Sequence, residues 1–159
     1  MTAWDEPSEL NHYLEPHAAR LLASFSYWTT KNLIAPDLPP AEQARELFYA
    51  PFVVLSHNIA PDPILNYANR AGLRLFELSW DELTTQPSRL TAEPMHQDER
   101  ALSLSRVTQQ GYIDDYRGVR ISKSGRRFFI DQATVWNLRD ENGAHCGQAA
   151  TFSRWRYVG

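Results

Sequence analysis

The sequence predicts an α+β fold: a five-stranded antiparallel sheet with helices over one face, plus an N-terminal helical extension. Three observations carry this. The last third holds three β-rich runs, divided by the turns Lys123-Ser-Gly125 and Asp140-Glu-Asn-Gly143. Glycine at the end of each turn supplies the positive φ that lets a strand reverse at little steric cost. Two shorter apolar runs, Phe52-Val-Val-Leu-Ser56 and Ile64-Leu-Asn-Tyr67, come earlier, and the stretch between the two groups of strands has helical rather than alternating spacing.

Taken in order, Ser8 or Asn11 can cap a first helix. Its apolar residues Leu10, Leu14, Ala18, Leu21, Leu22, Phe25 and Trp28 recur every three or four positions, and Pro16 can mark its true first turn. Ile34-Ala-Pro-Asp-Leu-Pro-Pro40 reads as a linker. This suggests a division into residues 1–40, helix and linker, and 41–159, the domain proper. Residues 41–49 form a short helix, and the first two strands follow it. Residues 68–76 form another helix. Ser79 and Glu82 have capping-box spacing, and residues 97–110 form a longer helix that Gly111 stops. The three-strand meander completes the chain.

The 159 residues are 43% hydrophobic and 22% charged, with a net charge of −3. That balance argues against nucleic acid as a partner, because neutralising phosphates requires a concentrated basic surface. Cys146 is the sole cysteine, so no intrachain disulfide forms and no thiolate cluster holds a metal. The N-terminus lacks the apolar core of a signal peptide, and no window has the length of a membrane span. The expected location is the cytoplasm, with no membrane partner.

Catalytic constellations are weak. Asp114 and Asp115 are neighbours on a strand and point to opposite faces, so they cannot converge on one substrate. Ser56-His57 has no nucleophile elbow. His12 and His17, five residues apart, do not share a helix face well. The expectation is no catalytic residue, no metal site and no enzymatic activity.

Several segments resemble a PAS domain, a sensory fold. Ile64-Leu-Asn-Tyr-Ala-Asn-Arg-Ala71 followed by Ser79-Trp-Asp-Glu-Leu83 is similar to its strand, helix and turn signature. His96-Gln-Asp-Glu-Arg100 is similar to its His-Pro-x-Asp-Arg segment, with Gln97 replacing the proline, and Ser124-Gly-Arg-Arg-Phe128 and Asp140-Glu-Asn-Gly143 to its last two hairpins. More narrowly, Pro87-Ser-Arg-Leu-Thr-Ala-Glu-Pro94 with Asp114-Asp-Tyr-Arg-Gly-Val-Arg-Ile-Ser-Lys-Ser-Gly125 resembles the MEKHLA family, found alone in bacteria and at the C-terminus of some plant homeodomain–leucine-zipper transcription factors. The resemblance runs over residues 41–155. Nothing in the chain resembles the homeodomain or zipper. It implies a non-catalytic module that binds a ligand or a protein and signals through dimerisation or a partner chain, with an unidentified small molecule and signalling protein as partners. It leaves the cofactor unknown. The light-sensing flavin branch uses a cysteine where this chain has Ser88, so the thiol adduct is excluded.

On that resemblance the ligand-facing candidates are Asn66, Tyr67, Arg120, Asp131 and Ala149. Simple alternation puts Phe129, Asp131, Ala133 and Val135 on one face, which the flavin-binding relatives would turn inward. Asp131 then pairs with Arg120 or with a ligand. The small residues Gly147, Ala149 and Ala150 leave space that is either a pocket or filled by Phe48, Phe76 or Trp80. The other face, with Phe128, Ile130, Trp136 and Phe152, must be covered by the N-terminal helix or by a second subunit. A homodimer is expected, with Leu21, Phe25, Trp28, Ile130, Trp136 and Phe152 at its interface. The rival reading is a cone-shaped α+β enzyme catalysing proton transfer, with Asp131 as base and Tyr116 or His57 as acid.

Overall fold

Each predicted β-run becomes a strand: β1 (Val53–His57), β2 (Leu65–Ala68), β3 (Tyr112–Ile121), β4 (Arg127–Arg139) and β5 (His145–Phe152), with a further strand β6 (Arg154–Val158). The computed structural model describes residues 4–159. All pairings are antiparallel, in the order β2-β1-β5-β4-β3, and β6 pairs with β4 beyond the end of β5. β5 and β6 together flank the whole of β4, from Arg139↔His145 to Arg127↔Val158, so six strands fill five positions.

The long strands turn over part-way along. In β4, Gln132 takes the left-handed conformation (φ 51°). In β3 the register slips on both sides of Tyr116, and Ser153 breaks β5 from β6. These irregularities lie side by side across the sheet, and each re-aims the residues that follow it. Phe128 and Ile130 therefore share the inner face with Ala133 and Val135, although two-residue alternation separates them. This corrects the expected faces of β4. Asp131 and Phe129 point away from the cavity. Asp131 meets Arg117 at 3.1 Å, with 39% of its side chain exposed. Phe128, Ile130 and Phe152 are buried inside. Asp114 and Asp115, at the β3 slip, both face solvent.

The helices are α1 (Glu15–Thr29), α2 (Pro40–Tyr49), α3 (Arg70–Phe76), α4 (Trp80–Leu83) and α5 (Pro94–Gln110), with 3₁₀ turns at Glu9–Leu14 and Ser88–Thr91. α1 begins at Glu15 with Pro16 in its first turn, because His12, Tyr13 and Leu14 adopt left-handed φ and separate it from the preceding 3₁₀ turn. Burial of Tyr13 against Phe48 and Tyr49 offsets that unfavourable backbone. The Ser79–Glu82 capping box forms, with the Glu82 amide donating to Ser79 Oγ at 3.1 Å and the Ser79 amide to Glu82 Oε1 at 3.0 Å. α5 starts three residues before the predicted position, with Pro94 in its first turn, where a missing N–H costs nothing.

α1 lies across the outer face. Ser56, Ala149 and Trp136 are ladder neighbours on β1, β5 and β4. His17 meets Ser56 at one end of that row, and Phe25 stacks edge-on against Trp136 (centroids 5.0 Å apart) at the other. Eight helical residues rise about 12 Å, close to the roughly 10 Å across three strands, so the helix bridges the row. Leu21, between them, is fully buried. The inner face is roofed by α3, α5 and the 3₁₀ turn at Ser88–Thr91, with Phe76 of α3 packed on Phe128.

Candidate ligand site

The inner face and its roof enclose a cavity of about 60 Å³, room for about four to six waters. Its walls are mostly apolar: Leu55, Leu65, Phe76, Leu104, Ile130, Val135, Ala150 and Phe152. The side chains come from β1, β2, β3, β4, β5, α3 and α5, so the site exists only in the assembled fold. Set into these walls are His57, Ser88, Thr91, Arg100, Tyr116, Arg120 and Gln148.

Arg120 reaches the cavity because β3 presents Tyr116, Gly118 and Arg120 inward, opposite Ala133, Ile130 and Phe128. It is 7% exposed. One guanidinium nitrogen donates to its neighbour's carbonyl, Val119 O, at 3.0 Å, and another to the Tyr116 hydroxyl. Arg100 comes from α5, where Arg100, Leu104 and Val107 form a stripe at four- and three-residue steps. It donates to Ser88 Oγ. Loss of hydration pushes Arg120 down to about 9, with the charge of Arg100 adding to the effect, and burial pushes Arg100 down to about 10.

His57, at the end of β1, lines the cavity. Nδ1 faces the Asn58 carbonyl at 2.9 Å. Burial lowers its pKa, and Arg100 and His145 lower it further, so the ring is neutral. Gln148 joins the wall to the roof: its amide donates to Asn137 Oδ1 and Thr108 Oγ1, both at 3.0 Å.

Of the sequence-predicted ligand residues, Arg120 lines the cavity and Ala149 borders it. Ala149 shares its ladder row with Ser56 and Trp136, on the α1 side, and Ala150 is the inward neighbour. Asn66 and Tyr67 lie away from the cavity. Asn66 Oδ1 accepts from Ser56 Oγ at 2.6 Å, and Tyr67 is buried between His17 and Trp80. Asp131 is outside, so the expected Asp131–Arg120 pair is replaced by Asp131–Arg117. The residues assigned to a dimer interface are used within the chain. Leu21 and Phe25 are buried under α1, Trp28 donates from Nε1 to Asn137 O at 2.9 Å, Trp136 lies beneath Phe25, and Ile130 and Phe152 line the cavity.

Arg100 and Gln148 were not singled out in the sequence. The signal for Arg100 was its place on the apolar stripe of α5. Gln148 sits two residues before Ala150 on the same strand face, and nothing in its local sequence distinguishes it. No cluster of three or more potential metal ligands occurs among the described residues, and no helix there is long and apolar enough to cross a membrane.

Comparison with known proteins agrees with this geometry. The MEKHLA domain family matches residues 15–157. Homeobox-leucine zipper protein HOX10 of Oryza sativa is 29% identical over 154 residues, covering 90% of this chain and 18% of its own length. ATHB-9 of Arabidopsis thaliana, with the same description, is 29% identical over 96 residues, 60% of this chain and 11% of its own. This chain therefore spans less than a fifth of these relatives. Among solved structures, the PAS domain of a Colwellia psychrerythraea protein superposes with a TM-score of 0.59 at 18% identity, covering 74% of this chain and 94% of that one. An RNA-binding light-oxygen-voltage receptor gives 0.59 at 18% identity over 76% of this chain and 33% of its own.

These findings correct the expected partners. Net charge had argued against nucleic acid, but homeobox-leucine zipper proteins share this domain, so the charge of one domain does not justify that exclusion. The homodimer expected through the sheet's outer face loses its surface to α1. With its inner cavity, its covered outer face and a match running from the first turn of α1 to β6, the chain belongs to the MEKHLA domain family and has a PAS-type fold.

Proposed function

We propose that this chain is a non-catalytic sensory module that takes a small molecule into the cavity between the sheet and α5. The observation that supports it is the cavity's composition. An apolar chamber with buried polar groups converging from separate elements is the usual form of a small-molecule site, and a fold held together for packing alone gains nothing from burying them. The PAS-type neighbours support the same reading at the level of fold.

Occupancy has a route to the outer face. Gln148, in the cavity wall, holds Asn137; Asn137 Nδ2 donates to Val107 O at 3.0 Å; and the Asn137 carbonyl receives Trp28 of α1. A ligand that moves Gln148 therefore disturbs α5 and α1 together, and α1 is the output element of this reading. The proton-transfer alternative loses its base, because Asp131 lies outside the cavity beside Arg117.

Native mass spectrometry of freshly purified full chain tests the proposal. A stoichiometric bound mass that is lost on replacing Ala150, in the cavity wall, with Phe is the expected result. A clean apo mass, with no small molecule raising the melting temperature in a broad metabolite screen, overturns it.

A further inference from the structure

Arg100 and Arg120 share the cavity wall without an acid. Among the described residues, six ion pairs form, and neither arginine takes part in any of them. Among the described residues, their side-chain partners are neutral hydroxyls, Ser88 and Tyr116, and the one other acceptor is the Val119 carbonyl. Two like charges are thus held near each other in an apolar chamber with no counter-charge. Glu99 lines a narrow cleft on the far side of both arginines, together with His96 and Arg117, and lies within ion-pair distance of neither. That cleft and the cavity have Arg100, Tyr116 and Arg120 in common, so the two guanidiniums stand between the chamber and the surface.

An unpaired buried cation is unfavourable unless something neutralises it. A planar guanidinium presents paired donors that match a carboxylate. Apart from the neutral polar groups of Ser56, His57, Ser88, Thr91 and Gln148, the rest of the wall is aliphatic or aromatic, which suits a short carbon chain and not a bare inorganic ion. We propose that the cavity binds a small organic carboxylate, its anionic end held by Arg100 and Arg120 and its short apolar body among Leu55, Leu65, Ile130 and Phe152. The size, about four to six waters, fits acids of about two to four carbons. This rests on the ligand-binding reading above and names the ligand class.

The test titrates the full chain calorimetrically with acetate, propionate and butyrate, and with the matching amides, which keep the shape and lose the charge. The expected result is binding of a carboxylate at least about tenfold tighter than its amide, with Arg120→Gln and Arg100→Gln each removing that preference and Arg120→Lys retaining part of it. Inorganic phosphate, lacking the apolar body, binds more weakly than the best carboxylate. Arg120→Met supplies a readout independent of any ligand: removing an uncompensated buried charge raises the melting temperature of the ligand-free chain, whereas a structural arginine would lower it. Amides binding as well as acids, or a preference that survives Arg120→Gln in a folded variant, overturn the carboxylate assignment and leave ligand binding standing. Failure of both series, with a clean apo mass, overturns both.

Discussion

A fully buried amide is stable only when both its ends are occupied, and Asn69 meets that condition. Nδ2 donates to Leu47 O at 3.1 Å and Phe52 O at 2.8 Å; Oδ1 accepts from the Val54 amide at 3.0 Å and the Gly72 amide at 3.1 Å. One side chain thereby caps α3 and ties it to the end of α2 and the start of β1. Replacing it with Ala strands the Val54 and Gly72 amides and the Phe52 carbonyl, while Leu47 O keeps the Ala50 amide at 3.4 Å, at roughly 1–3 kcal/mol for each group that stays dry. Asn69→Ala should lose about 3 kcal/mol in urea unfolding; a loss under about 1 kcal/mol would show that water replaces the amide freely. His17 gives a pH signature. Burial, with a smaller contribution from Arg20, lowers its pKa from 6.5 to about 4, and its ring meets Ser56 Oγ at 3.0 Å. The unfolded chain binds the proton more readily, so this stability is complete above pH 6.5 and is lost as pH falls toward 4. At pH 5 the loss is about 2 kcal/mol. Unfolding of the wild type and His17→Gln at pH 7 and pH 5 checks it: the wild type should lose more, and equal losses would assign the acid sensitivity to other groups.

At the scale of elements, the packing of α1 depends on a glycine. Gly111 ends α5 with φ 95°, and a Cβ there would lie 2.3 Å from the Trp28 ring. Gly111→Ala must strain the backbone and displace Trp28 from Asn137. We expect a drop in melting temperature and a red shift in tryptophan emission; an unchanged spectrum would mean Trp28 is not seated there. Gly111 was legible in sequence as a helix stop, but its contact with a residue 83 positions away was not. The same limit applies across the fold. Strand and helix positions were written in local periodicity, turn glycines and caps, which is why β1, β2, the meander and the Ser79 capping box were readable. The faces of β4 were not, because a two-residue period holds only while the strand is regular. Nothing in Asp131-Gln-Ala133 announces that Gln132 turns left-handed. One such residue moved Ile130 inward and Asp131 outward, and with Asp131 went its expected pair with Arg120. Arg120 could be placed on the inner face because it lies beyond the β3 slip, on the phase set by its hairpin.

The whole molecule is organised around the place where α5, β4 and α1 meet. Beyond the first residue of β3, the edge of β4 is open, and three contacts close it. The Asn137 amide donates to Gly111 O at 2.9 Å, Asn137 Nδ2 donates to Val107 O, and Trp28 Nε1 donates to Asn137 O. The roof and the outer helix therefore share one residue of the sheet, and Gln148 fixes that residue from the cavity side. If the two faces are coupled, weakening this junction from inside should loosen the outside. Gln148→Leu keeps the volume similar and removes the donors to Asn137 and Thr108, leaving Asn137 Oδ1 without its partner. Hydrogen exchange should then quicken at the C-terminal turns of both α5 and α1 by several-fold. Exchange in α3, which has no part in the junction, should stay unchanged. Two other patterns are informative. Faster exchange in α5 alone would mean that β4 insulates α1 from the cavity, and the output route assigned to Trp28 would fail. Faster exchange everywhere would mean that Gln148 serves global stability, and a melting temperature lowered in step would confirm it. Only the selective pattern fits a sheet that carries a change at its inner face to the helix on its outer one.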